Sequence, residues 1–376
     1  MRIAILYASA GEGHKKVAEA VREGFLAAGV PEKEILLLDV LDDAPLFFRV
    51  LYHSIYYYSV KYLSRLWGLI YETSDHSLFY RVFVRRLRRI VNESVMKKLV
   101  QRVLREKPQA IVSTHFLAPE ILGHLKLQGR ISSFLLTAIT DYAPHTFWVN
   151  PGTDHYWVMT DEGKTDLEKR GVPSSKITAG GIPVSPHFRN HQKKKAFQKK
   201  EGLDANRFTI LVTSGGFGLG PAAEVLEVLG QFRDKVQAIV VTGRNRRAFR
   251  SLEKKKYSFP VKRYGFVSHM HELMEASDLI IAKPGGATTT ESLAKGVPLI
   301  VLKPIPGQEA RNAVILKKRN ASFFIHSVKD LSVVLKEILD SPQVLEEKKR
   351  SMAGLAKPEA ALEIARFVLK GTAGPS

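Results

Sequence analysis

Cysteine is absent from the 376 residues. This excludes a disulfide framework, a thiolate nucleophile, an iron–sulfur cluster and a cysteine-ligated zinc site. The chain also lacks the run of about 18 apolar residues that a membrane-spanning helix needs, because Arg49 and His53 interrupt the richest stretch, 46–60. The N-terminal apolar run is short and no small-residue cleavage site follows it, so no signal peptide is expected. These absences favour a cytoplasmic protein.

Acidic residues are few, with 37 Asp and Glu against 57 Lys and Arg, which leaves a net charge of +20. Three runs, 49–107, 193–201 and 244–263, account for the whole surplus and leave the rest of the chain about neutral. A surplus of this size predicts an anionic partner, either a nucleic acid, a membrane surface or a phosphorylated substrate. Each run taken alone is also typical of a solvated face.

Short apolar runs alternate with helical patterns along most of the chain. The alternation predicts the α/β class, with two Rossmann-like doubly wound domains facing across a cleft. We place the first domain at 1–190, a lysine-rich linker at 191–203, the second domain at 204–355, and a closing helix with a tail at 356–376. In such sheets, ligands bind beyond the carboxyl ends of the strands.

One turn in the second domain has the pattern of an anion site. A buried strand is predicted to end before Pro284, and Gly285 and Gly286 allow a tight turn with close backbone approach. A helix is then expected to open at Thr288, so that its free N–H groups face a diphosphate. Glu291 would lie in its first turn and accept hydrogen bonds from ribose hydroxyls.

A second turn at the same predicted sheet edge carries Gln308, Glu309 and Asn312. Amide and carboxylate groups of this kind suit the recognition of sugar hydroxyls. Gln308 and Asn312 are four residues apart and would share one helix face.

Three motifs together resemble the monogalactosyldiacylglycerol synthase and processive diacylglycerol glucosyltransferase family. They are Gly-Glu-Gly-His at 11–14, Ala-Lys-Pro-Gly-Gly-Ala-Thr-Thr-Thr-Glu at 282–291, and Gly-Gln-Glu-Ala-Arg-Asn at 307–312. The family is related to the enzyme that forms lipid II. The resemblance extends over nearly the whole chain and includes Thr-Asp-Tyr-Ala-Pro-His at 140–145 with Trp148, and Gly-Ile-Pro-Val at 181–184.

The resemblance implies a GT-B fold and an inverting transfer of glucose or galactose from a UDP-sugar to diacylglycerol, at the cytoplasmic face of the membrane. It implies that the second domain holds the donor. Glu291 would bind ribose, Thr288 a phosphate, and Phe266 with Val267 the uracil. The donor residues implied in all are Gly13, Gly215, Gly216, Phe266, Val267, Gly285, Gly286, Thr288, Thr289, Glu291, Gln308, Glu309 and Asn312.

An inverting transfer needs a base that removes the proton of the acceptor hydroxyl. His14 stands where the first strand meets the first helix, and a helix N-terminus lowers the pKa of an imidazole and favours its neutral form. Asp141 follows a strand end and is the rival base, or the group that orients the histidine. His115 and His145 occupy comparable positions and are weaker candidates.

No Asp-x-Asp pair occurs, although metal-dependent glycosyltransferases commonly use one to hold an ion on the diphosphate. Helix N-termini and basic side chains can neutralise the diphosphate instead. We therefore expect no metal and no other cofactor.

The region 46–107 combines many aromatic residues with basic ones, a pattern typical of a peripheral segment on anionic lipid. Phe79, Phe83, Leu87 and Ile90 would share one helix face, which is equally typical of core packing. Three alternatives stay open: a polyprenyl or other polar lipid acceptor, a soluble UDP-sugar epimerase, and a nucleic-acid binder, which the lack of any nucleic-acid module disfavours.

Overall fold

Two compact units make up the chain. A computed structural model describes residues 1–9, 11–76, 95–189, 194–216, 218 and 220–372, without the side chains of 53, 55–61, 67 and 76. The first unit comprises Met1–Pro186, Pro306–Gln308 and the chain from Lys357 onward, and the second comprises His187–Ile305 and Glu309–Ala356.

The first unit contains a six-stranded parallel sheet in the order β2-β1-β3-β4-β5-β6. Its strands are short and mostly buried, because helices cover both faces of a parallel sheet and leave no polar side. They are β1 (Ile3–Tyr7), β2 (Ile35–Asp39), β3 (Ala110–Ser113), β4 (Phe134–Ala138), β5 (His155–Val158) and β6 (Ile177–Ala179).

The second unit contains another six-stranded parallel sheet, in the order β12-β11-β10-β7-β8-β9. Every residue of β8, β10 and β11 is buried. These strands are β7 (Phe208–Thr213), β8 (Val236–Val241), β9 (Val261–Tyr264), β10 (Leu279–Ala282), β11 (Leu299–Leu302) and β12 (Phe323–Ile325). The two sheets confirm the predicted α/β class.

Fifteen helices connect these strands in the described part of the chain. They are α1 (Glu12–Ala27), α2 (Leu46–Tyr62), α3 (Ser64–His76), α4 (Lys97–Glu106), α5 (Leu117–Leu127), α6 (Asp161–Lys169), α7 (Lys194–Lys200), α8 (Ala222–Leu229), α9 (Arg246–Glu253), α10 (Met270–Glu275), α11 (Gly286–Lys295), α12 (Gln308–Lys318), α13 (Leu331–Asp340), α14 (Gln343–Ala353) and α15 (Ala360–Thr372). Within the described ranges, no helix is both long enough and apolar enough to cross a bilayer.

Each sheet has one point where the strand order reverses. In the first sheet β1 pairs with both β2 and β3, and in the second β7 pairs with both β8 and β10. Ligands of open α/β sheets bind at such switch points, outside the carboxyl ends of the strands. The turns after β1, β3, β7 and β10 are therefore the places where the fold itself predicts ligands.

The lysine-rich segment around α7 is part of the second unit. Phe197 and Gln198 on α7 are buried. Lys194 pairs with Asp278, and Lys200 pairs with Glu272 at 2.6 Å. These ion pairs attach α7 to the unit that follows it.

The last described helix, α15, belongs to the first unit. Ile364, Ala365 and Val368 are buried among core residues of β1 and α1. Gly24 of α1 permits a close approach, because a Cβ at this position would stand 2.2 Å from the carbonyl oxygen of Ala361. The closing helix therefore completes the core of the first sheet.

Candidate active site

His14 lies in the first turn of α1, directly after β1 and at the switch point of the first sheet. Gly11 is the N-cap residue and has an extended backbone. Gly13 lies within the same first turn, where backbone N–H groups have no helical partner. The sequence thus predicted the position of His14 correctly.

The hydrogen bonds of His14 fix its tautomer. Nδ1 donates to the carbonyl oxygen of Thr114 at 2.8 Å, and the hydroxyl of Thr140 lies 3.1 Å from the same nitrogen. A proton on Nδ1 leaves the lone pair on Nε2, which is then the atom that can accept a proton. Burial lowers the pKa of His14 to about 4, although the bond to Thr114 opposes this. The imidazole is therefore neutral at neutral pH.

Asp141 has both carboxylate oxygens in hydrogen bonds. Oδ2 accepts from the indole N–H of Trp148 at 2.8 Å, and Oδ1 accepts from the side-chain amide of Gln308, whose segment is counted with the first unit. The Trp148 ring lies 6.3 Å from the ring of His14. Asp141 thus organises the surroundings of the histidine, and its oxygens are already occupied.

The two weaker histidine candidates form hydrogen bonds with backbone groups of the protein. Nδ1 of His115 accepts from the N–H of Leu117, and its ring packs edge-on against His14 at 4.6 Å. Nδ1 of His145 accepts from the N–H of Phe147, while Nε2 donates to the carbonyl oxygen of Tyr71 at 2.9 Å. Neither nitrogen of His145 is left for proton transfer to a substrate.

In the second unit, α11 begins at Gly286, two residues before the predicted start. Gly285 is an extended N-cap residue, so the chain turns immediately into the helix. The N–H groups of the first turn, from Gly286 to Thr288, face the switch point between β7 and β10. Thr289 is buried, and Glu291 lies buried in the second turn, which corrects the expected first-turn position.

Two of the predicted sugar ligands support the loops of this edge. Asn312 is fully buried, and its amide donates to the carbonyl oxygen of Pro284 at 2.9 Å, which fixes the turn before α11. Glu309 accepts from the N–H of Ile305 at 2.8 Å, and burial raises the pKa of its carboxyl group. Gln308 and Asn312 share α12, but they contact different loops.

The turn after β7 is open at Gly215, which is exposed and left-handed, with φ of 69° and no atom within 4 Å of a Cβ. The carbonyl oxygen of Gly216 accepts from the N–H of Arg244 at 2.9 Å, so this turn is attached to the turn after β8. Phe266 is half exposed, and the guanidinium of Arg244 lies 4.9 Å from its ring centroid. Val267 follows it and is half-buried.

An open pocket of about 470 Å³ lies at the ends of β8 and β9. It offers a planar apolar surface beside two cationic groups, which suits a nucleobase or another flat polar ring. The residues that line it are Gly243, Arg244, Arg246, Phe249, Gly265 and Phe266.

The helices α2 and α3 have apolar side chains on their outer faces. Phe48 and Tyr52 of α2 pack on the core, whereas Phe47, Val50 and Leu51 are exposed. On α3 the exposed apolar residues are Leu66, Leu69 and Ile70. The predicted face of Phe79, Phe83, Leu87 and Ile90 lies outside the described residues.

Two family models match the chain. The model for monogalactosyldiacylglycerol (MGDG) synthase matches residues 14–184, and the model for the glycosyltransferase family 28 C-terminal domain matches 209–364. The processive diacylglycerol beta-glucosyltransferase of Staphylococcus haemolyticus is 30% identical over 85% of this chain and 80% of its own length. That of Bacillus pumilus is 30% identical over 94% and 91%. The chain belongs to this glycosyltransferase family.

Solved structures agree on the fold. MurG from Acinetobacter baumannii has a TM-score of 0.60 at 15% identity over 98% of this chain and all of its own. This confirms the GT-B fold that the resemblance implied. The UDP-GlcNAc 2-epimerase of Neisseria meningitidis, bound to UDP-GlcNAc, has a TM-score of 0.62 at 13% identity over 98% of this chain and all of its own. Fold alone therefore does not separate transferase from epimerase, whereas the family does.

Two residues beside the candidate site of this glycosyltransferase were not singled out from the sequence. Thr114, at the end of β3, accepts from His14, and its hydroxyl donates to the carbonyl oxygen of His14 at 2.9 Å. Lys283, at the end of β10, is a half-buried lysine beside the start of α11. The motif alone does not reveal either role, because each depends on which strand ends are neighbours.

In the described part of the chain, no group of three or more His, Asp or Glu side chains could hold a metal ion. The metal-free mechanism remains a prediction, to be tested by the experiment given below.

Proposed function

We propose that the protein transfers a hexose from a UDP-sugar to diacylglycerol at a membrane surface, with inversion at the anomeric carbon. The diacylglycerol acceptor is supported by the relatives, which are named for it. The observation that carries the mechanism is the tautomer of His14, whose Nδ1–H is bound to Thr114 so that Nε2 can act as a base.

In the proposed reaction, Nε2 of His14 takes the proton of the diacylglycerol hydroxyl. The oxygen forms a bond to the anomeric carbon from the face opposite the phosphate. The bond between that carbon and the β-phosphate oxygen breaks, and its electron pair leaves with UDP. Asp141 and Trp148 hold the surroundings of the base, since their hydrogen bond of 2.8 Å connects the turn after β4 with the ring beside His14.

The second unit is proposed to bind the UDP part of the donor. The first turn of α11 offers N–H groups and a positive dipole end to the diphosphate, and the open Gly215 turn leaves room beside it. The pocket beside Phe266 would take the uracil. Glu291 would bind the ribose, and Gln308 with Glu309 would bind the sugar.

The exposed apolar faces of α2 and α3 are proposed to rest on the lipid surface. Exposed leucines and phenylalanine on two consecutive helices are unusual for a soluble face and are typical of interfacial helices. Arg65 on α3 is exposed beside them and would meet anionic headgroups. The cytoplasmic face of the membrane remains the expected location.

The decisive assay is incubation with radiolabelled UDP-glucose or UDP-galactose and vesicles that contain diacylglycerol, followed by lipid extraction. Label in the glycolipid fraction is expected with one or both donors. A parallel sample with a polyprenyl phosphate acceptor tests the alternative lipid. Absence of labelled glycolipid from both donors would refute the diacylglycerol assignment.

A further inference from the structure

Lys283 occupies the switch point of the second sheet. It follows β10 directly, and β10 pairs with β7 in a register that sets Ile281 against Val212. Lys283 and Ser214 therefore follow the ends of neighbouring strands, and both line one small pocket. Lys283 thus lies beside the turn after β7 and three residues before the start of α11.

The environment of Lys283 works against its positive charge. Burial lowers the pKa of the ammonium group, and the charge of Lys303, at the end of the next strand, lowers it further. Glu309 is the carboxylate that opposes both effects. Burial likewise raises the pKa of Glu309, and Lys283 counteracts that rise. The two groups thus support each other's charged forms at a site where isolated charges are disfavoured.

We propose that Lys283 binds the diphosphate of the donor and stabilises the charge that UDP acquires as it leaves, with Glu309 keeping Lys283 protonated in the free enzyme. The assignment rests on the proposed function only in taking a UDP-sugar as donor. A half-buried ammonium that faces a diphosphate interacts more strongly than an exposed one, because less water screens it. Glu309 then acts as a positioning residue through Lys283, besides any contact with the sugar.

The test compares the binding of UDP and of uridine to the purified enzyme without lipid. In Lys283→Met, the Kd for UDP is expected to rise about 10- to 100-fold, as for the loss of a charged hydrogen bond, while the Kd for uridine stays unchanged. Lys283→Arg should recover most of the UDP affinity. Lys318→Met, which removes an exposed lysine of α12, serves as the matched control.

A second measurement addresses Glu309. In Glu309→Gln the amide oxygen can still accept from Ile305, but the negative charge is lost. The pKa of Lys283 should fall, so UDP affinity should decline at a lower pH than in the wild type when titrated from about pH 7 to 10, with uridine binding unaffected.

Equal losses of UDP and uridine binding in Lys283→Met, or no loss of either, would overturn the proposal. An unshifted pH profile in Glu309→Gln would overturn the role of Glu309. The UDP-binding test of Lys283 is independent of the lipid-labelling assay. An enzyme that binds UDP through Lys283 but labels no lipid would refute only the assignment of diacylglycerol as the acceptor.

Discussion

At the scale of single residues, the chemistry depends on which atom of each polar group is already bound. His14 uses Nδ1 for the backbone of Thr114, and Asp141 uses both oxygens for Trp148 and Gln308. Of the two bases that the sequence left open, the structure thus favours His14. The other role given to Asp141, that of orienting the histidine, stays a prediction, since its carboxylate binds Trp148 and Gln308 while Thr114 accepts from His14.

Replacing His14 by alanine should lower kcat/KM by about 10²- to 10⁴-fold, as for loss of a general base. UDP binding should survive, because the residues proposed to bind the uracil, ribose and diphosphate lie in the second unit. Steady-state kinetics and UDP titration measure the two effects. Near-normal turnover of His14→Ala would remove this residue from the mechanism.

The lowered pKa of His14 predicts how kcat/KM depends on pH. Since the base works only when neutral, kcat/KM should stay level as the pH falls through 6.5 and should decline only near pH 4. A free imidazole would lose activity near 6.5 instead. The pH profile of the wild-type enzyme tests this, and an activity loss centred at pH 6 or above would contradict a lowered pKa of His14.

Asp75 on α3 is a buried carboxylate whose replacement should lower the free energy of unfolding. Its side chain is 1% exposed, binds Arg170 through both oxygens at 2.7 and 2.9 Å, and accepts from the N–H of Thr146 at 2.7 Å. Asp75→Asn leaves the guanidinium partly buried without its partner, at a cost of about 3 kcal/mol. Urea unfolding measures it.

The control for Asp75→Asn is Glu32→Gln, which breaks an ion pair of Arg22 in which Glu32 is 71% exposed. We expect a change below about 0.5 kcal/mol there. Similar losses in both variants would contradict the difference that burial makes.

At the scale of elements, the positions of the helices follow from the turns that begin and end them. α11 ends at Lys295 and is followed by Gly296, whose φ of 61° is the left-handed conformation that favours glycine. A glycine after a helical pattern indicates such an end. The start at Gly286 depends on the extended backbone of Gly285, which no local pattern distinguishes from a loop residue.

Most strands were predictable because buried parallel strands are continuous apolar runs. β6 and β12 were missed, since three residues are too few to show a pattern. The order of the strands in each sheet was not predictable in detail. The position of Lys283 beside the turn after β7 depends on that order, so it was not predictable either. Burial of a lysine is a tertiary property, so composition and spacing do not show it.

The close approach of α1 and α15 predicts that Gly24→Ala is destabilising. The added Cβ would stand 2.2 Å from the backbone oxygen of Ala361, so the helices must separate, at about 1–3 kcal/mol. Thermal unfolding should show a lower Tm. Gly230→Ala, whose Cβ would have only an ordinary contact at 3.8 Å, is the control, and equal Tm values in the two variants would contradict the crowding.

The exposed faces of α2 and α3 predict binding to vesicles. The double change Leu66→Ser and Leu69→Ser should reduce flotation with vesicles that contain phosphatidylglycerol, because apolar area no longer enters the lipid. Val333→Ser, on the equally exposed Val333 of α13, should have no effect. Wild-type protein that stays unbound, or binding that the double variant retains, counts against a lipid-facing surface.

At the scale of the whole molecule, the basic residues behind the net charge of +20 have different surroundings in different runs. Part of the run at 193–201 is paired with carboxylates of the second unit, as at Lys194 and Lys200. The run at 244–263 supplies Arg244 and Arg246 to the pocket beside Phe266. Its positive charge is thus placed where a nucleotide is proposed to bind.

This distribution leads us to expect transfer without a metal ion. Lys283, Arg244 and the N-terminus of α11 can neutralise the diphosphate together. Turnover should therefore persist in excess chelator. Loss of activity in the chelator, restored by magnesium or manganese, would refute this expectation.

The placement of α15 in the first unit has a consequence for synthesis on the ribosome. The core around β1 and α1 contains Ile364 and Val368, which are translated after the entire second sheet. Until α15 has been synthesised, part of the apolar surface of the first unit stays uncovered, although all strands of the second unit are already present. We therefore expect the first unit of a nascent chain to complete its fold only when α15 is available. Before that, a chaperone could cover the same apolar surface.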